Sequence, residues 1–382
     1  MTGIDRRSLL AGLAGAGALA LTGCTTTAGR PRGGAAAGIF PTAAGPMPLP
    51  AAPILDPELR LGRIGIGSCF NQNRHGRLLG TAVRSRPDLF LMMGDNVYGD
   101  SESPNVDELV AAYAGVLARP DYRTFRAAMP IGATWDDHDY GLNDSGAEYA
   151  YKAATMPLFF DFWGVPADSP RRRTGGIYDA FITGPEGARV QIILLDTRSF
   201  RSPFKATDEK GAPWKERYVA DPDPQKTVLG EAQWAWLEEQ LAKPADLRIL
   251  VSSYQMVAEG HGWEKWGNFP LERQRFYDLV ARTRAAGLIA VSGDRHRAGV
   301  YREAKGTPFP IYELTSSAIN MSSGRSDPGE EPGPNRIGPT YRADNVGMVT
   351  LDWDKRRVGF YILDEDDRTV LSHGFSMDEL KA

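Results

Sequence analysis

Four apolar runs constrain the fold of this chain most strongly, because each run ends beside side chains that can bind a metal ion. The runs cover residues 63–68, 89–94, 131–135 and 288–293. Short apolar runs that stop at Gly or polar residues predict buried β-strands, and open α/β sheets bind ligands at the carboxyl ends of such strands. The metal-binding side chains that follow the four runs are Cys69; Asp95 and Tyr98; Asp136, Asp137, His138 and Asp139; and Asp294 and His296. We therefore expect a preorganised metal cluster, and the leading hypothesis is a hydrolytic metalloenzyme.

Segments that we expect to be helical separate the predicted strands. They cover residues 77–86, 106–118, 148–163, 230–243 and 271–286. Residues 322–341 are dense in Gly, Pro and Ser and predict a long loop, whereas the alternating segments 348–353 and 358–363 predict a β-hairpin. Helices between buried strands, followed by hairpins, predict an α/β fold in which two packed mixed sheets are flanked by helices.

The composition agrees with a soluble globular protein and excludes one class of function. The chain has 382 residues, of which 42% are hydrophobic and 24% are charged. Its formal net charge is −4. So mild an acidic balance gives no support for a nucleic-acid-binding surface.

The amino terminus has the pattern of an export signal. Arg6 and Arg7 precede an apolar run over residues 9–21, which is shorter than the roughly 20 residues of a membrane-spanning helix. A lipobox-like pattern then ends at Cys24. We expect residues 1–23 to be a twin-arginine and lipoprotein signal peptide, with Cys24 as the lipidation site. The alternatives are ordinary signal cleavage nearby or an unprocessed cytoplasmic tail.

Three consequences follow for the organisation of the chain. Residues 24–55 are rich in Ala, Gly and Pro and predict a flexible linker. Residues 56–382 are then expected to form a single domain that ends in β-hairpins. The protein would pass through the twin-arginine translocation machinery and reside in the periplasm or at the cell surface, with a lipid anchor in the membrane.

Two Gly-Asp pairs end predicted strands, at Asp95 and Asp294. A single pair would favour a helix cap. Each of these pairs is followed closely by another potential ligand, Tyr98 or His296, which favours a metal. A phenol binds a metal only when a strong Lewis acid depresses its pKa, so Tyr98 together with Cys69 favours a ferric or similar transition-metal ion over calcium alone.

The segment 136–139 is the densest group of potential ligands. Burying its three carboxylates without cations would be prohibitively costly, whereas a metal would offset much of that cost. Asp137 could bind the metal while His138 acts on the substrate, with Asp139 or Asp136 orienting the ring. The alternative is a solvated acidic loop.

Arginines near the predicted strand ends offer contacts for an anion. A guanidinium group matches the geometry of phosphate, although most arginines lie on the surface or in ion pairs. We expect Arg198 to hold a phosphoryl group. The other arginines in comparable positions are Arg201, Arg295 and Arg297.

The ordered motifs resemble those of the alkaline phosphatase D (PhoD-like) family of metallophosphoesterases. The motifs are Gly67-Ser68-Cys69, Gly94-Asp95-Asn96-Val97-Tyr98, Trp135-Asp136-Asp137-His138-Asp139, Leu195-Asp196-Thr197-Arg198, Trp266-Gly267-Asn268-Phe269-Pro270-Leu271-Glu272-Arg273 and Ser292-Gly293-Asp294-Arg295-His296. The resemblance covers residues 63–300. It implies a calcineurin-like, four-layer α/β/β/α sandwich.

The resemblance also implies an Fe3+ and Ca2+ cluster, with Zn, Mn or Mg as possible substitutes. The iron ligands would be Cys69, Asp95, Tyr98 and His296, with Asp95 bridging. The ligands of the other cation or cations would be Asp137 and Asp294. Asp137 replaces an Asn of related enzymes, so Asp136 and Asn143 remain alternatives, and Gln255 would stand in for a His that related enzymes carry.

These features together predict an exported phosphate ester hydrolase, a phosphomonoesterase or phosphodiesterase. A metal-activated hydroxide would attack phosphorus, and His138 would protonate or stabilise the leaving oxygen. The substrate would be a small-molecule or lipid phosphate ester. The alternative is a non-catalytic, membrane-tethered lipoprotein that binds phosphate or metal.

Overall fold

The computed structural model of the chain describes residues 41–42, 45–46, 52–324 and 333–381. Helices alternate with many of the parallel strands of both large sheets, as the alternating segments predict. The α-helices are α1 (Arg77–Arg84), α2 (Asp107–Ala118), α3 (Pro120–Ala128), α4 (Asp137–Tyr140), α5 (Lys152–Phe162), α6 (Gly230–Leu241) and α7 (Pro270–Thr283). Short 3-10 helices cover Pro170–Arg173, Trp266–Asn268 and Met377–Leu380.

The strands cluster into two large sheets and two short pairs. Those of the first half of the chain are β1 (Pro41–Thr42), β2 (Gly45–Pro46), β3 (Arg63–Gly67), β4 (Leu89–Met93), β5 (Ile131–Thr134), β6 (Asp179–Thr183), β7 (Val190–Leu194), β8 (Lys205–Ala206) and β9 (Tyr218–Val219). Those of the second half are β10 (Leu247–Ser252), β11 (Leu288–Ser292), β12 (Ala298–Glu303), β13 (Ile311–Ser316), β14 (Arg336–Tyr341), β15 (Val346–Asp352), β16 (Arg357–Leu363) and β17 (Thr369–Ser376).

Both large sheets are mixed. One has the strand order β17-β16-β15-β3-β4-β5, in which β3, β4 and β5 are parallel and the hairpin strands are antiparallel. The other has the order β14-β12-β13-β11-β10-β7-β6, with a parallel centre of β7, β10, β11 and β13. Parallel strands place their carboxyl ends on the same edge, which is where the loops of the candidate site begin.

Strand β4 shows why the sheets are layered, because its side chains are apolar on both faces. Leu89, Leu91 and Met93 pack in one buried cluster with side chains from both sheets. Phe90 and Met92 point the other way and pack with a second cluster. Successive side chains of a strand face opposite sides, so this run of five apolar residues must be covered twice.

Helices form the two outer layers of the sandwich. Residues of α1, α2, α3 and α5 belong to the second cluster and cover the six-stranded sheet. Helices α6 and α7 pack on the seven-stranded sheet, where the Gln191 side chain of β7 donates to the Gln240 carbonyl of α6 (2.8 Å). The predicted fold class, a four-layer α/β/β/α sandwich of two mixed sheets flanked by helices, is confirmed.

Two sequence predictions for the last third of the chain have different outcomes. The hairpin prediction is confirmed, since β15 and β16 pair antiparallel in register. The prediction of a loop over 322–341 is wrong for residues 336–341, because they form strand β14, which pairs with β12. The Gly338 and Pro339 of that strand look like loop residues in the sequence, but an edge strand tolerates them.

The predicted signal peptide over 1–23 and Cys24 lie outside the described residues. Within the range predicted as a linker, 24–55, the structure describes the two-residue pair β1 and β2 and residues 52–55. Of the helices that the structure describes, none combines the length and the apolar character needed to cross a bilayer.

The carboxylate of Asp196 joins the two sheets where β5 and β7 end. Its Oδ1 accepts from the Trp135 indole nitrogen (2.9 Å) and from the backbone nitrogens of Arg198 (3.0 Å) and Ser199 (2.9 Å). Its Oδ2 accepts from the Ile177 nitrogen (2.8 Å) and the Ser199 hydroxyl (2.6 Å). Asp196 is fully buried, so water cannot replace these bonds without opening the structure.

We expect Asp196→Ala to lower the free energy of unfolding by several kcal/mol, because each buried donor left without an acceptor costs about 1–3 kcal/mol. Chemical denaturation measures the change. Asp354→Ala is the matched control, since the Asp354 side chain is 85% exposed and pairs with Arg60 at the surface, where an ion pair contributes at most about 1 kcal/mol. Equal stability of the two variants would contradict the role given to Asp196.

Candidate metal centre

The loops after β3, β4 and β11 bring a thiol, a carboxylate and an imidazole together. One donor atom from each of Cys69, Asp95 and His296 lies within 4.8 Å of the others. The Cys69 Sγ is 3.4 Å from Asp95 Oδ2, and the Ser317 hydroxyl lies 3.1 Å from the same sulfur. Ser317 also accepts from the His296 backbone nitrogen (2.9 Å), so its hydroxyl links the β3 loop to the β11 loop.

Tyr98 completes this group from the β4 loop. Its hydroxyl lies 2.9 Å from Asp95 Oδ2 and 3.2 Å from His296 Nε2. The thiol, carboxylate, phenol and imidazole thus form a compact set of four different donor types. Thiolate, imidazole and phenolate favour a transition metal, and the carboxylate can bridge to a harder cation.

Glycines allow the strand ends to approach one another so closely. Gly94 has a positive φ of 106°, and a Cβ atom there would lie 2.8 Å from the backbone nitrogen of Asp136. A Cβ atom on Gly293 would lie 2.5 Å from the Ser68 hydroxyl and 2.9 Å from the Ser253 carbonyl. Any larger residue would therefore push apart the strand ends that carry the site.

Four candidate ligands adopt the left-handed backbone conformation, which is rare for residues other than Gly. The φ values are 57° for Cys69, 49° for Asp95, 65° for Asp294 and 52° for His296. Each such residue costs on the order of 1–3 kcal/mol and persists only where its surroundings enforce it. Strain of this kind clusters at functional sites, which agrees with a site for ligand binding.

His138 begins a second group, with Asp95 and Asp137, whose donor atoms lie within 4.8 Å of one another. Both oxygens of Asp100 lie 2.9 Å from His138 Nδ1. The His138 ring packs against the Tyr98 ring, and the two ring centroids are 4.3 Å apart. Burial alone would lower the pKa of His138, but the charges of Asp137 and Asp95 and the bond to Asp100 raise it to about 11. These carboxylates therefore favour the protonated form of the imidazole.

The sequence expectation that Asp139 or Asp136 orients His138 is wrong, because Asp100 occupies that position. Asp139 instead accepts from the backbone nitrogens of Asp95 (3.1 Å) and Asp136 (2.7 Å), and it thereby ties the β4 loop to the β5 loop. Asp136 accepts from the Ser253 hydroxyl (2.5 Å). Both carboxylates thus organise the backbone around the site.

A third acidic group extends the site away from Cys69. One oxygen from each of Asp137, Asp144 and Glu264 lies within 4.8 Å of the others. The Asp144 backbone nitrogen donates to Asp137 Oδ2 (2.6 Å). Of the alternatives left open at this position, Asn143 is exposed, and Asp136 Oδ1 already accepts from Ser253 and Arg198. Asp137 belongs to two of the donor groups and therefore has the most suitable position for a ligand.

Arg198 offsets part of the negative charge of the acids around the site. Its side chain is 0% exposed. Its Nε donates to Asp136 (2.6 Å), while Nη1 and Nη2 donate to the two oxygens of Glu264 (both 2.8 Å). Nη2 also pairs with Asp136, and Nη1 reaches the Ser145 carbonyl (3.4 Å). Each of the three guanidinium nitrogens donates to a protein acceptor and the side chain is buried, so this geometry does not support the predicted contact between Arg198 and a phosphoryl group.

Asp294 and Gln255 are the remaining residues that the sequence predicts at the site. Asp294 follows β11 at the same edge, but among the described residues it joins none of the three donor groups. Gln255 is fully buried, where its Oε1 lies 3.0 Å from His261 Nε2 and its amide donates to Thr315 (3.0 Å). Both ends of Gln255 are thus occupied by protein groups.

The acidic donors fit a cation because their charges have too little compensation in the protein. Burial, together with the charge of Asp294, raises the pKa of the Cys69 thiol to about 12. Burial and the charges of Cys69 and Asp137 hold the pKa of Asp95 well above its usual value, and burial and Asp95 do the same for the pKa of Tyr98. A bound cation would favour the charged form of each donor. The identity of these residues as metal ligands stays a prediction.

Sequence reasoning missed three carboxylates of the site. Asp100 lies only two residues after Tyr98 in the same loop, and Asp144 lies in the acidic stretch that follows β5, so both had a local signal. Glu264 had none, because it enters from the segment between β10 and α7 and is placed only by the fold.

The solved structures that are similar to this chain include two of known description. One is "Structure of PhoD", with 15% sequence identity, a TM-score of 0.67 and coverage of 87% of this chain and 72% of that chain. The other is "GAP50 the anchor in the inner membrane complex of Plasmodium", with 13% identity, a TM-score of 0.50 and coverage of 82% and 88%. At such identities the likeness shows the fold alone.

The comparison of sequences has two outcomes. No curated protein matches the chain. A family model described as PhoD-like phosphatase matches residues 64–361, which is most of the chain. The chain therefore belongs to the PhoD-like phosphatase family, and this membership suggests a metal-dependent phosphoesterase.

Proposed function

We propose that this protein hydrolyses phosphate esters with an iron–calcium type cluster, as a phosphomonoesterase or phosphodiesterase. The observation that carries the proposal is the convergence of Cys69, Asp95, Tyr98 and His296, with His138 adjoining through Asp95. Four donor types meet in one place, and a histidine with its own carboxylate partner lies beside them.

The residues divide into two sets of ligands. Cys69, Tyr98 and His296 would hold the transition metal, with Asp95 shared between the cations. Asp137 and Asp294 would serve the harder cation. When bound, the cations would neutralise charge on the phosphoryl group and lower the pKa of a water molecule.

His138 would be the residue that moves a proton. Asp100 accepts from Nδ1, which fixes the ring and leaves Nε2 as the nitrogen that can give its proton to a leaving oxygen. The contact with the Asp100 carboxylate favours the protonated imidazole, which supports this role. Asp100 therefore acts as a positioning residue for the histidine.

We also propose that the enzyme is exported and anchored by lipid at Cys24. The support is the pattern of Arg6 and Arg7, the apolar run that follows and the lipobox-like segment. Twin-arginine export suits a protein that folds around its metal before it crosses the membrane. Such a location would give the enzyme access to small-molecule or lipid phosphate esters outside the cytoplasm.

Removal of the metal should abolish hydrolysis. We expect purified protein to contain transition metal and calcium by elemental analysis, and to hydrolyse p-nitrophenyl phosphate, bis(p-nitrophenyl) phosphate or both. Dialysis against a chelator should lower the rate at least about 100-fold, because the cations supply most of the charge stabilisation, and the metals should restore it. Metal content without hydrolysis of either ester would support the non-catalytic lipoprotein instead.

Replacing His138 should affect turnover more than metal binding. We expect His138→Ala to lower kcat about 100-fold or more, and Asp100→Asn to lower it roughly 10- to 100-fold, the effect of a hydrogen bond to a charged group. Metal content should stay unchanged in both. Asp107→Asn is the control, since Asp107 is exposed on the next helix. Loss of metal in His138→Ala would reassign His138 as a ligand.

Replacing Cys24 should release the protein from the membrane. In a bacterial host with lipoprotein processing, we expect the wild type in the membrane fraction and Cys24→Ser in the soluble periplasmic fraction, because a serine cannot take the thioether-linked lipid. Immunoblots of the fractions measure the shift. An unchanged distribution would contradict lipid anchoring, and retention of both proteins in the cytoplasm would contradict export.

A further inference from the structure

The two-residue strands β8 and β9 bring one more arginine to the acidic side of the candidate centre. We propose that Arg217, not Arg198, is the arginine that binds the phosphate group of the substrate. The inference rests on the proposed function, which requires a site for an anion beside the cluster. With Arg198 enclosed by protein acceptors, another side chain must provide a guanidinium contact if the site uses one.

Arg217 is linked to the centre through two carboxylates. Its Nη1 forms an ion pair with Asp144 Oδ2. The Asp144 backbone in turn donates to Asp137, the residue that precedes His138 in the chain. The guanidinium group therefore lies at the border of the donor group that contains Asp137, Asp144 and Glu264.

The exposure of Arg217 distinguishes it from Arg198. The Arg217 side chain is 41% exposed, whereas that of Arg198 is 0% exposed. Among the described residues, the guanidinium group of Arg217 donates one hydrogen bond, from Nη1 to Asp144. Its remaining donors can therefore form the fork-like contact with phosphate oxygens for which arginine is suited.

The local structure holds Arg217 in position. The backbone nitrogens of Arg217 (3.0 Å) and Tyr218 (2.7 Å) both donate to the Gly262 carbonyl. The guanidinium lies 5.0 Å from the ring centroid of Trp263, a half-buried side chain, and the Tyr218 hydroxyl donates to Asp144 (2.6 Å). Stacking on an indole ring restricts a long side chain without consuming its hydrogen-bond donors.

A purely structural role is the competing explanation, since Arg217 could simply neutralise Asp144. The two roles predict different measurements. A substrate contact changes the affinity for phosphate and the KM of the ester, whereas a structural ion pair changes the melting temperature, the metal content or kcat.

The test uses metal-loaded full-length protein. We expect Arg217→Met to weaken the binding of inorganic phosphate, measured by calorimetry, roughly 10- to 100-fold, the effect of a lost charged hydrogen bond. The KM for p-nitrophenyl phosphate should rise by a similar factor, with less change in kcat and none in metal content. Arg217→Lys should recover part of the affinity, because it keeps the charge but not the fork. Arg282→Met is the matched control, an exposed arginine that pairs with Glu238 on the far helices.

The outcomes separate the two proposals. Unchanged phosphate affinity and KM in Arg217→Met, in an active wild type, would overturn the role of Arg217 alone. A loss of metal or of melting temperature in both Arg217 variants with KM unchanged would also overturn it. A wild type that binds phosphate through Arg217 but hydrolyses no ester would overturn the proposed function and leave the anion contact standing.

Discussion

The structure depends on one electrostatic constraint: several carboxylates are buried where the strand ends of two sheets meet. Arg198 offsets part of this charge by pairing with Asp136 and Glu264 inside the protein. Burial and neighbouring negative charges hold the pKa of Asp95 and that of Asp294 well above their usual values. Without cations the burial of these acids would oppose folding. Bound cations would offset that cost, and the acids would serve as their ligands.

The sandwich can bear this cost because its core is large and its strand ends are rigidly held. Gly94 and Gly293 let the loops approach one another closely, and Asp196 joins the sheets beside them. The same packing enforces the left-handed conformations of Cys69 and Asp95. Stability contributed by two apolar clusters thus maintains strain at one edge, which is the usual relation between a scaffold and its functional site.

The architecture also separates two kinds of arginine that look alike in the sequence. Arg198 lies in the loop after β7 and is buried, where it pairs with the buried acids Asp136 and Glu264. Arg217 directly precedes the two-residue strand β9, and the Gly262 carbonyl holds the backbone there, so the guanidinium group stays at the surface of the site. Burial, which depends on contacts distant in sequence, decides which of them can meet a substrate.

Local patterns in the sequence were enough to predict the strand ends and much of the donor set. The apolar runs end within a residue or two of the observed strands, because period and run length are local properties of a strand. Asp100 and Glu264 were missed for different reasons. Asp100 was overlooked beside stronger motifs, whereas Glu264 lies far along the chain from Asp137 and Asp144 and meets them only through folding.

The sequence by itself determined the fold class, the order of the strands that deliver Cys69, Asp95 and His296, and the family. Only the tertiary structure decided that Asp100 holds His138 and that Arg198 is enclosed. The physical reason is that strand periodicity is encoded in neighbouring residues, whereas burial, charge compensation and the choice of a partner depend on which distant segments share one edge of the sandwich.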